Sequence, residues 1–366
     1  MGLLLGPAVA EADWVGDDAA VAVGAVTCGA QFGWPTLQAV SKRVAANTHS
    51  AFIQPVFAQG KSTTRPAMGN SLLCWRRSSE CLRPLEQRQR TPEPSTSAAT
   101  SRSIVSALGQ CGSRVGGFGA TRPTETKARA VLRRAIELGV NFIDTADSYG
   151  PNVSEELIAE ALHPYPDDLV IATKGGLVRP GPGRWPADGR PEHLREACEG
   201  SLRRLQVDQI ALYQFHRQDP AVRFEASIGA LVTLKDEGKI RHIGLSNVNE
   251  DQLRRAQALT PIVSIQNRYN PGDRRSDALV DLCASEQIAF LPWAPIQNLD
   301  QLPTLTEIAD RHGATPYQVA LAWLLARSET MLTIPGTGSI EHLEENVAAA
   351  GLQLDAKEIT VLNELG

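Results

Sequence analysis

The sequence predicts an α/β chain whose larger part is a (β/α)₈ barrel, with a non-globular N-terminal extension in front of it. Three observations carry that expectation. Past residue 112 or so, short β-rich apolar runs alternate with segments of helical period, as βα units of a parallel sheet do. Eight such runs fit in roughly 250 residues, the span of one barrel. A glycine fingerprint for an open dinucleotide-binding sheet is missing, since Gly116-Gly117-Phe118-Gly119 runs into Ala120-Thr121-Arg122 without a third glycine.

The apolar runs are Val115–Phe118, Val140–Ile143, Leu169–Ala172, Ile210–Tyr213, Ile240–Leu245, Ile262–Ile265, Ile288–Leu291 and Met331–Ile334. Helical patterns fall at Lys127–Leu138, Ser154–Leu162, Glu192–Leu205, Phe224–Glu237, Glu250–Ala258, Asp277–Glu286, Pro316–Ala326 and Ile340–Ala349. In the first of these, Val131, Leu132, Ala135, Ile136 and Leu138 share one side.

Ahead of the barrel the chain changes character. No Asp or Glu occurs from Ala19 to Ser79, and Arg88 to Ser103 is a polar Pro/Ser/Thr stretch too poor in apolar residues to offset the entropy of ordering. Residues 1–110 are therefore expected to be an extension and residues 111–366 the barrel domain. The acid-poor, Arg- and Ser-containing leader fits either an organellar transit segment or translated sequence without a selected fold. The apolar opening Met1 to Gly6 lacks a basic region, so no secretory signal is expected.

Composition narrows the function classes. The chain has 366 residues, 42% hydrophobic and 21% charged, with net charge −5. No basic block suggests nucleic acid, and no apolar run reaches the ~20 residues that a membrane span requires. Six cysteines show no CxxC pairing, so neither a disulfide framework nor a metal site is expected. A cytoplasmic, monomeric protein follows as the expectation.

In a barrel of this kind, chemistry gathers at the carboxyl ends of the strands. Seven of the eight runs end there in polar or aromatic residues: Asp144 to Gly150, Thr173-Lys174, Gln214 to Arg217, Ser246-Asn247, Gln266-Asn267, Trp293 and Gly336 to Gly338. Each residue alone has a structural explanation, Asp144 as a turn cap or Ser246-Asn247 as an N-cap pair. Seven together point to a site.

The segments NFIDTADSYG (Asn141–Gly150), IATKGG (Ile171–Gly176), IALYQFH (Ile210–His216), KIRHIGLSN (Lys239–Asn247), QNRYN (Gln266–Asn270) and IPGTGSIEHLEEN (Ile334–Asn346) resemble the aldo-keto reductases. The resemblance covers residues 112–364 or so, and is greatest to the bacterial and fungal branch that includes pyridoxal reductases. It implies a catalytic tetrad of Asp144, Tyr149, Lys174 and His216. It also implies Ser246, Asn247 and Gln266 on the nicotinamide carboxamide and Trp293 stacked on the ring. Gly336, Thr337, His342, Glu345 and Asn346 would then meet the phosphate and adenosine end. NADPH is the expected cofactor and a small-molecule carbonyl the expected substrate. Gly336 and His342 stand where family members often carry Lys and Arg, so use of NADH as well is expected.

Within that resemblance the roles follow from elementary chemistry. Carbonyl reduction leaves negative charge on oxygen, and Tyr149 would donate a proton to it. Lys174, paired with Asp144, would lower the tyrosine pKa from its usual ~10, and His216 would steady the oxyanion. The loop Leu177 to Arg190, with Trp185, is expected to wall the substrate pocket. The end of the chain at Gly366 leaves no long loop to cover that pocket, so broad aldehyde acceptance is expected. A different class of function, a nucleotide-sensing or partner-binding barrel with little turnover, fits the same fold.

Overall fold

The computed structural model describes residues 122–181 and 183–365, together with the strand backbones 20–24 and 103–109. The strands are β1 (Ala20–Gly24), β2 (Ser103–Gly109), β3 (Val140–Asp144), β4 (Val170–Gly175), β5 (Ile210–Phe215), β6 (Ile240–Ser246), β7 (Ile262–Arg268) and β8 (Ala289–Trp293). They pair in sequence order. β1 runs antiparallel to β2, and from β2 onward every pairing is parallel.

Helices cross over between the strands: α1 (Arg122–Glu137), α2 (Val153–Leu162), α3 (Pro191–Leu205), α4 (Phe224–Asp236), α5 (Glu250–Gln257) and α6 (Asp277–Glu286). Four more follow β8: α7 (Pro303–His312), α8 (Pro316–Arg327), α9 (Ile340–Ala348) and α10 (Ala356–Asn363). This is the barrel that the sequence predicts. None of the described helices is long and apolar enough to cross a membrane.

Three differences from the sequence reading stand out. The run Val115–Phe118, expected as the first barrel strand, lies outside the described residues. β2 is the strand that pairs in parallel with β3, so the sheet begins inside the segment that the sequence assigned to the extension. The eighth run, Met331–Ile334, is reduced to one parallel bridge between Met331 and Phe290. Backbone hydrogen bonds of 2.9 Å from Phe290 to Thr330 and 2.8 Å from Leu332 to Phe290 still hold it against β8. Pro335, which has no N–H, stops the ladder there. Finally, α7 and α10 were not expected.

The period of two in the strands separates two cores. Phe142, Val170, Ala172, Leu212, Val263, Leu291 and Ile334 fill the barrel interior. Their outward neighbours, among them Tyr213, Phe215, Ile243, Leu245 and Ile265, pack beneath the helices with Leu194, Ile228 and Trp323. Because side chains two apart share a face, the inward row Phe142 continues to Asp144, Val170–Ala172 continues to Lys174, and Leu212 continues to Gln214. The apolar plug of the barrel thus ends in a polar layer at the carboxyl ends of the strands.

Candidate active site

That polar layer centres on a buried ion pair. Lys174 and Asp144 expose 0% and 2% of their side chains, and Lys174 Nζ donates to Asp144 Oδ2 at 2.5 Å. The ammonium also donates to the Thr145 carbonyl at 2.8 Å. Asp144 Oδ1 accepts from Gln214 Nε2 at 2.7 Å and from Gln266 Nε2 at 3.0 Å. A buried carboxylate survives only when paired and hydrogen-bonded, and here both oxygens are engaged.

Tyr149 sits over this pair, its ring centroid 5.0 Å from Lys174 Nζ. It is half-buried on the loop that follows β3, where Tyr149 N donates to the Ala146 carbonyl at 3.2 Å. His216 meets the tyrosine edge-on, with ring centroids 5.9 Å apart and planes at 83°. The structure therefore brings together the four residues Asp144, Tyr149, Lys174 and His216.

The electrostatics differ from the sequence expectation in one respect. Burial raises the Tyr149 pKa above the ordinary phenol value, and the charge of Lys174 opposes that rise without overcoming it. The net direction is upward, not downward, because the sequence reading counted the lysine and omitted desolvation. Tyr149 is consequently protonated at neutral pH. Burial pulls the Lys174 pKa down, but Asp144 and Tyr149 more than offset it, so the ammonium stays charged. His216 lies well below the usual imidazole range through burial, with Lys174 and Arg217 adding to it. It is a neutral ring whose Nδ1 is buried without a protein partner.

The remaining predicted residues fall around the same rim. Ser246 and Gln266 are in register across β6 and β7. Asn247 is not a helix cap: Asn249 caps α5, in a capping box with Gln252. Instead Asn247 takes a left-handed backbone with φ 57°, which asparagine tolerates better than most residues. Its Nδ2 donates to the His216 carbonyl at 3.1 Å and to Ser246 Oγ at 3.0 Å, while its Oδ1 accepts from Trp293 Nε1 at 3.1 Å. The Trp293 ring also carries the Arg268 guanidinium 5.5 Å from its centroid. One face expected for nicotinamide alone therefore has a cation beside it.

At the head of α9, Thr337 is buried and Gly336 is half-buried. The Thr337 hydroxyl accepts from Ser339 N at 3.1 Å. Asn346 is buried and its Nδ2 has no partner. Glu345 is half-buried, and His342 is exposed. The loop Leu177 to Arg190 folds into a small hairpin through bridges Leu177–Ala187 and Gly181–Arg184, with Arg179 lying 4.8 Å over the Trp185 ring.

Sequence reasoning placed Gln214 on the polar rim but gave it no role in the site. It also missed a second polar cluster behind the β3 loop, on the outward face of the sheet. There Glu155, fully buried, accepts from Thr173 Oγ1 at 2.5 Å and from Arg204 Nε at 2.7 Å. Thr145 and Ser154 share a hydrogen bond of 2.7 Å close by.

Fold and site together define a parallel α/β barrel with a tyrosine set beside a buried lysine–aspartate pair at the carboxyl ends of its strands. The profile of the aldo/keto reductase family matches residues 111–298 and 296–366. An uncharacterized oxidoreductase of Schizosaccharomyces pombe is 45% identical over 263 residues, covering 68% of this chain and 86% of the relative. Pyridoxine 4-dehydrogenase of Escherichia coli is 40% identical over 269 residues, covering 71% and 94%. The crystal structure of an aldo/keto reductase from Klebsiella pneumoniae in complex with NADP and acetate superposes with a TM-score of 0.59 at 28% identity, covering 68% of this chain and 87% of that one. The chain belongs to the aldo-keto reductase family.

Proposed function

We propose that this chain reduces aldehydes or ketones to alcohols with NADPH, Tyr149 supplying the proton. One observation carries the reading: a buried, charged Lys174, fixed by Asp144 and the Thr145 carbonyl, beneath a tyrosine that burial keeps protonated. When bound, the dinucleotide supplies a hydride to the carbonyl carbon. Tyr149 then gives its proton to the carbonyl oxygen, and the Lys174 charge stabilises the phenolate left behind. His216, neutral and adjacent, donates a hydrogen bond to the same oxygen as negative charge builds on it.

The residues present fit the cofactor. Asn346 Nδ2, buried and orphaned in the last turn of α9, is the kind of donor that a bound group would satisfy. Backbone N–H groups at the head of the same helix, by Gly336 and Thr337, suit phosphate. His342 and Glu345 would flank the adenosine end. Ser246, Asn247 and Gln266 would hold the carboxamide and Trp293 the ring. With Gly336 and the exposed His342 in place of a Lys and Arg pair, NADH would serve as a second, weaker donor.

The hairpin Leu177 to Arg190 would wall the substrate. Pyridoxal is a candidate because the E. coli relative is named a pyridoxine 4-dehydrogenase. Consumption of NADPH and of NADH over an aldehyde panel that includes pyridoxal tests the reading. Turnover of a single aldehyde would contradict the broad acceptance expected from the sequence, and failure with all of them would contradict the activity.

A further inference from the structure

We infer that Gln214 is a positioning residue of the reaction, the part that aims the Asp144–Lys174 pair at Tyr149. The inference rests on the carbonyl-reduction reading above. Gln214 is fully buried on β5, in register with Lys174 on one side and Gly244 on the other. Its Nε2 donates to Asp144 Oδ1 at 2.7 Å, shorter than the 3.0 Å contact from Gln266. A glutamine on the inward face of a barrel strand is costly unless its amide is used, and here the use is the carboxylate.

The neighbouring sequence makes room for it. A Cβ on Gly244 would stand 3.0 Å from Gln214 Cγ and 2.1 Å from Ser264 Oγ. Any larger residue at 244 would therefore press on the glutamine stem and on Ser264. The space beside Gln214 is specified on its far strand as well as on its own.

What the amide does follows from hydrogen-bond inventory. An ionised carboxylate only accepts, so both amides that face Asp144 must present their NH₂ groups to it. Two donors on Oδ1 fix the rotation of the carboxylate, and that rotation fixes where Oδ2 meets the ammonium. Lys174 has three hydrogens. Asp144 Oδ2 and the Thr145 carbonyl take two of them, which leaves the third for the Tyr149 hydroxyl. Orientation of Gln266 is fixed by the same rule: its Nε2 faces Asp144, with the Gln214 carbonyl 3.5 Å away, and its own carbonyl is directed elsewhere. Gln214 thus joins the proton-donor group to a residue expected at the cofactor carboxamide.

The test is the pH dependence of turnover for wild type, Gln214→Met and Gln214→Glu, with Tyr149→Phe as the inactive reference. NADPH binding would be read in parallel from tryptophan fluorescence. Gln214→Met keeps the shape and removes the amide. It is expected to lower kcat by about tenfold or more, since small misplacements of catalytic groups cost up to about 10²-fold. With Lys174 less well aimed, Tyr149 loses part of its opposition to burial, so the alkaline limb of alcohol oxidation should move up by about one pH unit. The NADPH dissociation constant should change by less than about threefold, because Gln266 keeps its own hydrogen bond to Asp144. Gln214→Glu sets a second carboxyl beside Asp144. Its activity should survive only toward acid pH, where the two carboxyls share a proton.

Equal kcat and an unmoved pH profile in Gln214→Met would overturn the inference. So would a lower kcat with the wild-type profile retained in both variants, the pattern of a merely structural residue. Those failures are distinct from failure of the parent reading, which would show as an inert wild type.

Discussion

Two buried carboxylates lie on opposite faces of the same sheet, and they are built differently. Asp144 faces the barrel interior, and Glu155 faces the helices. Asp144 pairs with a lysine, a compact point charge with hydrogens to spare, and next to it stand a protonated Tyr149 and a His216 whose Nδ1 has no protein partner. Glu155 pairs with Arg204 and takes a hydroxyl from Thr173, tying α2, β4 and α3 together. The inner pair is wired toward groups that remain available, and the outer pair closes on itself. Burial of a charge does not by itself mark a site; the spare hydrogen-bonding capacity beside it does.

The largest effect should come from breaking the inner side. Tyr149→Phe removes only the hydroxyl, and should lower kcat by about 10²–10⁴-fold, the range for losing a general acid. Cofactor binding by fluorescence titration should stay near the wild-type value. Loss of binding alongside turnover would place Tyr149 in the cofactor site instead.

Breaking the outer side should cost stability in place of chemistry. Glu155→Gln weakens the hold on Arg204 and Thr173, and should destabilise the fold by about 1–3 kcal/mol, the cost of an unsatisfied buried partner. Chemical denaturation measures it. A kcat that fell as far as in Tyr149→Phe, at unchanged stability, would erase the distinction between the two faces.

A pH experiment sharpens the same contrast. Asp147 stands on the loop between the two sides, its Oδ1 buried without a partner. Burial, with Glu155 adding to it, pushes its carboxyl from 3.8 up to about 7. A folded value above the unfolded one means that its contribution is complete below about pH 3.8 and is lost as pH rises through 7. Asp147→Asn should therefore match wild type near pH 4 and become progressively more stable than it toward pH 8. Thermal melts across that range check it, and a constant difference at every pH would contradict the assignment.

The smallest effect is expected at the surface. Arg195, Glu237, Lys239 and Glu199 form a partly exposed surface ion-pair network between α3 and the chain entering β6. Solvent screens such pairs, so Arg195→Ala should leave both melting midpoint and turnover where they were. A clear drop in either would mean that this network shares in the cooperativity of the barrel.

The sequence made the fold and the polar rim readable because both obey short periods. Strands of apolar residues ending in Asp144, Lys174 or Gln266 announce a barrel rim without any knowledge of contacts. Gln214 was read on the rim but given no role, because an inward glutamine and an ordinary polar stopper look alike until Asp144, 70 residues away, is seen to accept from it. Desolvation of Tyr149 was invisible for the same reason, since burial is a property of the assembled barrel.

The two missed helices were legible in principle. Pro303 opens α7 and Gly313 closes it at φ 60°, while Asp355 and Glu358 form a capping box at the start of α10. Those start and stop signals were outweighed by the expectation of one helix per strand. The first strand is a different case, since β2 falls within the span expected to be extension and its pairing partners β1 and β3 are far apart in sequence. Its apolar residues Ile104, Val105 and Leu108 directly follow the polar stretch and were counted with it.

The central claim is that the tyrosine above the buried lysine gives its proton to a carbonyl. The most direct measurement is NADPH oxidation by purified wild type and Tyr149→Phe over the aldehyde panel. Turnover by the wild type that vanishes in the variant, while both still bind NADPH, is the expected result. A wild type that binds the cofactor and reduces none of the aldehydes would contradict it, and would leave the barrel as a nucleotide-binding protein.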